Sequence, residues 1–372
     1  MSRVFCIQRR LFSVMSASHA PISSPFTRAV VSSMNKLYPE SLADKSFDNT
    51  GLLLEAPFNH ARRQRNSVLL AIDLTKAVAD EAIARKDSVV VAYHPIIFRG
   101  LKSLTFKDTQ QQSLLRLAQE GISVYSPHTA VDATPGGMGD WLCDIVTGAI
   151  APSSSTTTPE ITPSSSKSYS APIYPLPGTV SSSPTSTIAH VKTTIHPSPQ
   201  PTPAGLEDAG MGRLVTFTEP QPLTAIIDNI ARGVGSPAGI PIAIPQSASV
   251  DAIKIRTVGV CPGSGSSVLL KDVSQIPDLL FTGEMSHHET LFAIENGSVV
   301  VALAHSNTER GYLRAVMREK LEKVLKEEWE STRKEGLDAA TEDLKELYDD
   351  KECEVHVSEK DRDPFGIMVR TT

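Results

Sequence analysis

Histidines in three segments of this chain are placed where they could bind one metal ion. The run VVVAYHP carries His94, the run VVVALAHSNTER carries His305 four residues before Glu309, and SPHTAVD carries His128 four residues before Asp132. Imidazole and carboxylate groups together are the ligands that suit Zn, Fe, Mn or Co. The sequence therefore indicates a site for a divalent metal ion, provided that the fold brings these segments together.

Each of these residues also has an ordinary structural explanation. His94 precedes a proline, which favours extended backbone, and a hydrogen-bonded loop residue fits that position as well as a ligand does. Glu309 could cap a helix N-terminus while His305 packs against it. Asp132 could bond its own backbone in a turn. Spacing alone leaves these alternatives open, and it is the joint placement of the residues at strand ends that favours a metal site.

The candidate ligands follow segments that are predicted to be strands. In the first half, the apolar runs Ser67–Leu74, Ser88–Tyr93 and Ile122–Ser126 alternate with helical segments at Lys76–Lys86, Thr109–Gly121 and Gly136–Gly148. Runs that are apolar on both faces, alternating with helices, indicate a largely parallel sheet.

The second half repeats this scheme. Strands are predicted at Ile255–Cys261, Leu279–Gly283 and Ser298–His305, and a helix at His287–Gly297. We therefore expect two related α/β domains that face each other, with the metal site at the carboxyl ends of their strands.

Composition divides the chain into four parts. Residues 151–205 are mostly Ser, Thr and Pro, which predicts a disordered linker between domains at 35–150 and 206–372. Residues 326–354 form a highly charged stretch, which predicts a solvated helical insertion. The first 39 residues contain no acidic residue but several arginines and serines, so residues 1–34 are either a mitochondrial transit peptide or a disordered start.

Charge and cysteine content exclude several classes of protein. A net charge of −6 gives no electrostatic basis for binding nucleic acid or anionic membranes. No apolar run approaches the roughly 18 residues of a membrane span. The four cysteines form no CxxC pair, which indicates a reducing compartment. We expect a soluble protein.

Two further motifs carry possible chemistry. The segment GVCPGSGSS, residues 259–267, could cradle a phosphate with its backbone N–H groups, although a tight turn explains it as well. His287 and His288 open a predicted helix. One of them could face the metal site and move protons, or both could lie on the surface.

At this point the chain resembles a known family. The motifs that carry the resemblance are SFDNTGLLLE, VAYHPIIFRGLKSLT, VYSPHTAVDATPGG, AGMGRL, CPGSGSS, TGEMSHHETL, AHSNTERGYL and SEKDRDPF. They are similar to those of the GTP cyclohydrolase I type 2 family, also called the Nif-three-like (NGG-one interacting factor three) family, in its eukaryotic branch.

The resemblance implies a duplicated α/β fold, usually a toroidal hexamer, with a two-metal site between the halves. The family ligands carried over to this chain are His94, Asp132, His305 and Glu309. Bacterial members have two adjacent histidines where this chain has Tyr93 and His94. That departure leaves either one or two divalent ions per protomer, with His128 or His288 as substitutes for the missing ligand.

Two hypotheses about function follow. The first is a metal-dependent hydrolase acting on a small nucleotide-like or phosphorylated substrate, in which His128 or His288 transfers protons. The second is a non-catalytic interaction protein of the transcriptional co-regulator type, with a structural metal and protein partners. The localisation expected is mitochondrial or cytoplasmic, with the nucleus as a further option.

Overall fold

The computed structural model describes residues 23–59, 63–150, 172–174, 187–339 and 342–370. Residues 1–22 of the predicted targeting segment, and residues 151–171 and 175–186 of the predicted linker, lie outside the described residues. The described chain forms two β-sheets with helices packed on them, which confirms the predicted α/β class. No described helix combines the length and the hydropathy that a membrane span requires.

The first sheet has five strands, and its central strands are parallel, as predicted. They are β1 (Gly51–Leu54), β2 (Arg65–Ala71), β3 (Asp87–Ala92), β4 (Ser123–Ser126) and, from near the C-terminus, β11 (Glu354–Val357). The order is β1–β4–β3–β2–β11, and β1 is antiparallel at its edge. Strand β3 is buried along its whole length because helices cover both faces, so its residues from Val89 to Ala92 are continuously apolar rather than alternating.

One face of this sheet is covered by α2 (Lys76–Arg85) and α3 (Thr109–Glu120). Their buried leucine, valine and alanine side chains form one core with the facing side chains of β2, β3 and β4. The side chains of Thr75 and Asp108 cap the two helix N-termini by accepting backbone hydrogen bonds. Gly121, at φ +82°, ends α3 in the left-handed conformation that glycine adopts without strain.

The other face is covered by α1 (Pro25–Leu37) and the long α10 (Arg318–Ala339), while α5 (Met138–Val146) packs against the second sheet and joins the same core. The rings of Phe26 and Trp329 pack edge to face, with centroids 5.4 Å apart. Two predictions are corrected here. Residues 25–34 lie in helix α1 and contribute to the core, so they are not a disordered start, and the charged stretch is helical but buries one apolar face, including Trp329.

The second sheet is mixed. Its strands are β5 (His190–Pro197), β6 (Gly210–Pro222), β7 (Ile242–Ala243), β8 (Lys254–Ser264), β9 (Leu279–Glu284) and β10 (Val299–Ala302). They lie in the order β5–β6–β8–β9–β10–β7, and β8, β9 and β10 are parallel. Helices α6 (Leu223–Gly233), α7 (Ser266–Leu269) and α8 (His287–Glu295) connect them.

The predicted division at residues 151–205 does not match the sheets. Strand β5 lies inside the predicted linker and pairs along its length with β6. Strand β11, from the predicted second domain, pairs in parallel with β2 of the first sheet. The prediction from composition was wrong for β5 because threonine and proline also occur in edge strands. Composition also gives no information about pairing between segments as distant in sequence as β11 and β2.

A buried ion pair joins the two halves. Asp140 on α5 accepts hydrogen bonds from the Arg213 guanidinium on β6 at 3.2–3.3 Å, and Lys192 on β5 lies 2.5 Å from its other oxygen. Asp140 and Arg213 are 7% and 3% exposed. Burial raises the pKa of Asp140, but the charges of Arg213 and Lys192 outweigh it and hold this pKa below its ordinary value.

Replacing Asp140 should therefore destabilise the protein in a pH-dependent way. We expect Asp140→Asn to lower the free energy of unfolding at pH 7 by about 3 kcal/mol, because it leaves Arg213 buried without its counter-charge. This contribution is fully present above the pKa of the unfolded carboxyl, about 3.9, and is lost as the pH falls through the lower folded-state pKa. Urea unfolding followed by circular dichroism measures the difference.

The matched control is Glu322→Gln, which removes an exposed ion pair with Lys326 on α10. It should change the free energy of unfolding by less than about 1 kcal/mol. Equal stability of Asp140→Asn and the wild type at pH 7 would show that this ion pair does not hold the halves together.

Candidate metal centre

His94 reaches the site from the first sheet. It lies two residues beyond β3, and its backbone N–H donates to the carbonyl of Ile72 at 3.0 Å, which continues the ladder of β2 and β3. Its Nδ1 lies 2.9 Å from Oδ1 of Asp73. Because a carboxylate accepts the proton, Nδ1 carries it, and Nε2 is the nitrogen that could bind an ion in place of a second proton. That Nε2 lies 3.5 Å from Oε2 of Glu309.

His305 approaches from the second sheet. The chain leaves β10 through Ala304, whose φ of +69° is unusual for a residue with a side chain, and His305 begins a 3₁₀ turn. Its Nδ1 lies 2.9 Å from Oε1 of Glu284 at the end of β9. Its Nε2 lies 3.5 Å from Oε1 of Glu309. Each imidazole is thus oriented by one carboxylate and directs its other nitrogen at Glu309.

Glu309 lies between the two imidazoles, immediately before the short helix α9 (Arg310–Tyr312). Its side chain is 1% exposed, and its Oε2 accepts no hydrogen bond from any described residue. A buried carboxylate oxygen without a donor carries a large desolvation cost unless a cation compensates it. The ligand atoms of His94, His305 and Glu309 all lie within 4.8 Å of one another, so this cluster could hold a metal ion.

Gly263 makes the close approach of these ligands possible. It lies near the end of β8 at φ +59°. A Cβ at this position would lie 2.6 Å from Oε1 of Glu309 and 2.8 Å from Nε2 of His305. Both contacts are shorter than real Cβ contacts. A glycine is therefore required at position 263, where the backbone borders the cluster. Most of the glycine-rich segment forms the end of strand β8.

The electrostatics of the cluster favour a cation. Burial lowers the pKa of His94, but the carboxylates of Glu309 and Asp73 outweigh it and raise this pKa to about 10. Burial raises the pKa of Asp73, yet the neighbouring His94 and Arg310 bring it below its ordinary value. Asp73 therefore stays ionised beside the His94 imidazole, and its charge adds to the attraction for a positive ion.

Asp132 lies beside the cluster and is held by Tyr93. Its position is inside the short helix α4 (Thr129–Ala133) and not in the loop that its neighbours predict. The hydroxyl of Tyr93 donates to the Asp132 carboxylate, with Oδ1 at 2.8 Å and Oδ2 at 2.9 Å. Burial raises the pKa of Asp132 to about 7 and, with the Asp132 charge, raises that of Tyr93 well above 10. Tyr93 is therefore a neutral donor.

His128 borders the same space. Its ring centroid lies 5.5 Å from that of His94, and its Nδ1 lies 2.6 Å from Oδ1 of Asp48. Burial raises the pKa of Asp48, but the hydrogen bond and charge of His128 lower it below its usual range. The backbone of His128 has φ +34°, a strained conformation of the kind that occurs at functional sites. The contact with Asp48 orients the imidazole through its Nδ1 atom, so Nε2 is the nitrogen that remains for contacts with other groups.

Two exposed rings flank His128. Phe47 is 52% exposed and Phe98 is 45% exposed, although both are large apolar side chains. Their centroids lie 6.5 Å and 6.3 Å from that of His128. This arrangement places apolar ring surface beside the candidate ligands.

His288 lies apart from this group. It is exposed at the start of α8, and its ring packs against that of His287 with centroids 5.2 Å apart. Among the described residues, no hydrogen bond or ion pair joins it to the ligand cluster. Its assignment as a proton-transfer residue remains a prediction.

Sequence reasoning missed the residues that orient the imidazoles. Asp73 follows β2 as directly as His94 follows β3, so adjacent parallel strands ending in polar residues were an available signal. Glu284 ends β9 beside the parallel strand β10 and carried the same signal, whereas Asp48 had none, because a contact between segments distant in sequence brings it to His128.

Adding a methyl group at Gly263 should reduce metal binding. We expect Gly263→Ala to lower the metal content of the purified protein about tenfold or more at limiting metal, because the Cβ would clash with His305 and Glu309 and displace them from their positions. Gly239→Ala is the control, since a Cβ there has no neighbour within 4 Å. Elemental analysis gives the metal content and circular dichroism checks the fold. Equal metal content in the two variants would contradict the geometry.

Comparison with known proteins gives consistent matches. The profile of the Duf34/NIF3 (NGG1p interacting factor 3) family matches residues 27–335. The NIF3 homolog of Schizosaccharomyces pombe is 39% identical over 352 residues, which is 94% of this chain and 100% of that protein. The NGG1-interacting factor 3 of Saccharomyces cerevisiae is 36% identical over 80% of this chain and 92% of its own.

A solved structure shows the same fold. A Bacillus cereus protein related to NIF3 superposes with a TM-score of 0.57 at 21% identity, over 91% of this chain and 98% of its own. Similarity at this level of identity shows the fold alone.

Proposed function

The chain belongs to the Duf34/NIF3 family, and from that premise we propose that it is a metal-dependent hydrolase acting on a small nucleotide-like or phosphorylated substrate. The observation that carries the proposal is the convergence of two imidazole nitrogens on the buried Glu309 carboxylate. A divalent ion held there would polarise a substrate oxygen and lower the pKa of a water molecule that it binds.

The ligands of the proposed ion are His94, His305 and Glu309, with Asp132 as a fourth. Zn, Fe, Mn and Co all accept this mixture of imidazole and carboxylate. Asp73 and Glu284 hold the Nδ1 proton of each histidine, which fixes the tautomer that a metal ligand needs.

We expect one ion per protomer. The neutral Tyr93 hydroxyl donates to both oxygens of Asp132, and it supplies no lone pair of comparable strength to a second ion. Asp132 then completes the shell of the single ion or stays hydrogen-bonded beside it.

His128 is the proposed proton-transfer group. Asp48 binds its Nδ1, so the Nε2 atom can accept a proton from a nucleophile or donate one to a leaving group. The exposed rings of Phe47 and Phe98 beside it support a substrate with a planar ring, since such a ring stacks on aromatic side chains. This is the basis for a nucleotide-like substrate.

Removing the central carboxylate should abolish both metal binding and turnover. We expect Glu309→Ala to contain less than a tenth of the wild-type metal, since it removes the ligand shared by both imidazoles, and to hydrolyse neither GTP nor a chromogenic phosphate ester. The control is Glu295→Ala, at an exposed position on α8. Elemental analysis of the wild type should give a metal-to-protomer ratio near one. Hydrolysis of either substrate by metal-free Glu309→Ala would contradict the hydrolase proposal.

Changing His128 should separate chemistry from metal binding. His128→Asn is expected to reduce kcat about 100-fold or more, because it removes the proton-transfer group, while the metal content stays at the wild-type level. Kinetics and elemental analysis on the same preparation test both halves of this statement. An unchanged kcat would remove His128 from the mechanism.

The second candidate function is that of an interaction protein with a structural metal. Two observations favour it: the Saccharomyces cerevisiae relative is named for its interaction with NGG1, and the ligands come from both halves of the fold, so an ion would link them. If this function holds, removing the metal with a chelator lowers Tm and dissociates any oligomer, and no substrate is turned over. Oligomeric state and mitochondrial or cytoplasmic location remain predictions.

A further inference from the structure

An open groove of about 1030 Å³ borders the metal cluster on the side of the first sheet. His94 and Asp73 are among the residues that line it. Its walls include Lys76, the first residue of α2, together with Lys360 and Arg362 on the segment that follows β11. The volume is at the upper end of the range for small-molecule sites.

The three cations of this groove have no ion-pair partner among the described residues. The Arg362 guanidinium lies over the ring of Tyr174, 4.7 Å from its centroid, which holds it at the groove wall. Lys76 and Lys360 are exposed to the groove. Surface cations are usually neutralised by nearby carboxylates, so three that share one concave surface attract an anion there.

Three carboxylates also line the groove, and two of them are engaged by other groups. Asp73 accepts from His94, and the buried Asp363 accepts from Ser306 and from the backbone N–H of Phe365. Glu359 is the exposed carboxylate that shares the groove with the three cations. The first turns of α2 and α3 also line the groove, and their partial positive charge adds to that of the side chains.

We propose that this groove binds the phosphate group of the substrate through Lys76, Lys360 and Arg362. A phosphate matches the bidentate donors of arginine and carries enough charge to use several cations at once. Because the candidate ligand His94 lines the same groove, a molecule anchored here lies next to the metal cluster. The inference rests on the proposed function, because it concerns the substrate of that site. Phosphate binding itself can be measured without any turnover.

The test uses inorganic phosphate and the full-length, metal-loaded protein. Isothermal titration calorimetry should show that Lys360→Gln and Arg362→Gln each raise the Kd for phosphate about tenfold, the loss expected for one charge-assisted hydrogen bond. Lys271→Gln, which removes a cation that does not line the groove, should leave Kd within about twofold. Elemental analysis should give the same metal content for all of these variants.

The outcomes separate this inference from the proposed function. Weaker phosphate binding in the two groove variants supports the inference, even if no phosphate ester is hydrolysed and the hydrolase proposal falls. Equal Kd values in all variants overturn it. Binding that disappears in Glu309→Ala but is unaffected by the groove variants also overturns it, because the metal ion alone would then hold the phosphate.

Discussion

The structure around the candidate site depends on one buried carboxylate, that of Glu309, which lies between two imidazoles. Glu309 is almost fully enclosed, and one of its oxygens accepts no hydrogen bond from the described residues. Both oxygens face imidazole nitrogens at 3.5 Å, a distance that leaves room for an ion between them. The cost of burying this charge is compensated only by a positive ion or a protonated imidazole, so the two halves of the fold are arranged around a point of negative potential.

Much of the local geometry follows from crowding at that point. Two strand ends, a 3₁₀ turn and a short helix meet there, and Gly263 is the residue that lets backbone pass against the ligands. The positive φ angles of Ala304 and His128 occur in the same region. Backbone strain is therefore concentrated where the imidazole side chains must be oriented. The rest of the molecule supplies the rigidity, including the buried Asp140–Arg213 pair that fastens α5 to the second sheet.

Sequence reasoning predicted the local elements and the chemistry of the cluster well. Continuous apolar runs identified β2 and β3, because burial on both faces leaves a local signature, and His94, His305 and Glu309 were recognised by their position after such runs. Sequence reasoning was wrong where a strand pairs with a segment distant in sequence and where the composition of a segment is misleading. The segment of β5 was assigned to a linker, part of α1 to a transit peptide or disordered start, and the segment of β11 to the second half, since no local pattern reports which distant strand a segment joins.

By itself the sequence determined the donor types, the alternation of strands and helices, and the family, because each is encoded by residue identity at short spacing. Only the tertiary structure decided which donors converge. It brought His94 to His305 and Glu309, placed the Tyr93 hydroxyl on Asp132, and supplied Asp73, Glu284 and Asp48 as orienting carboxylates. These contacts depend on how two sheets pack, and packing is set by the summed burial of the whole chain rather than by any single motif.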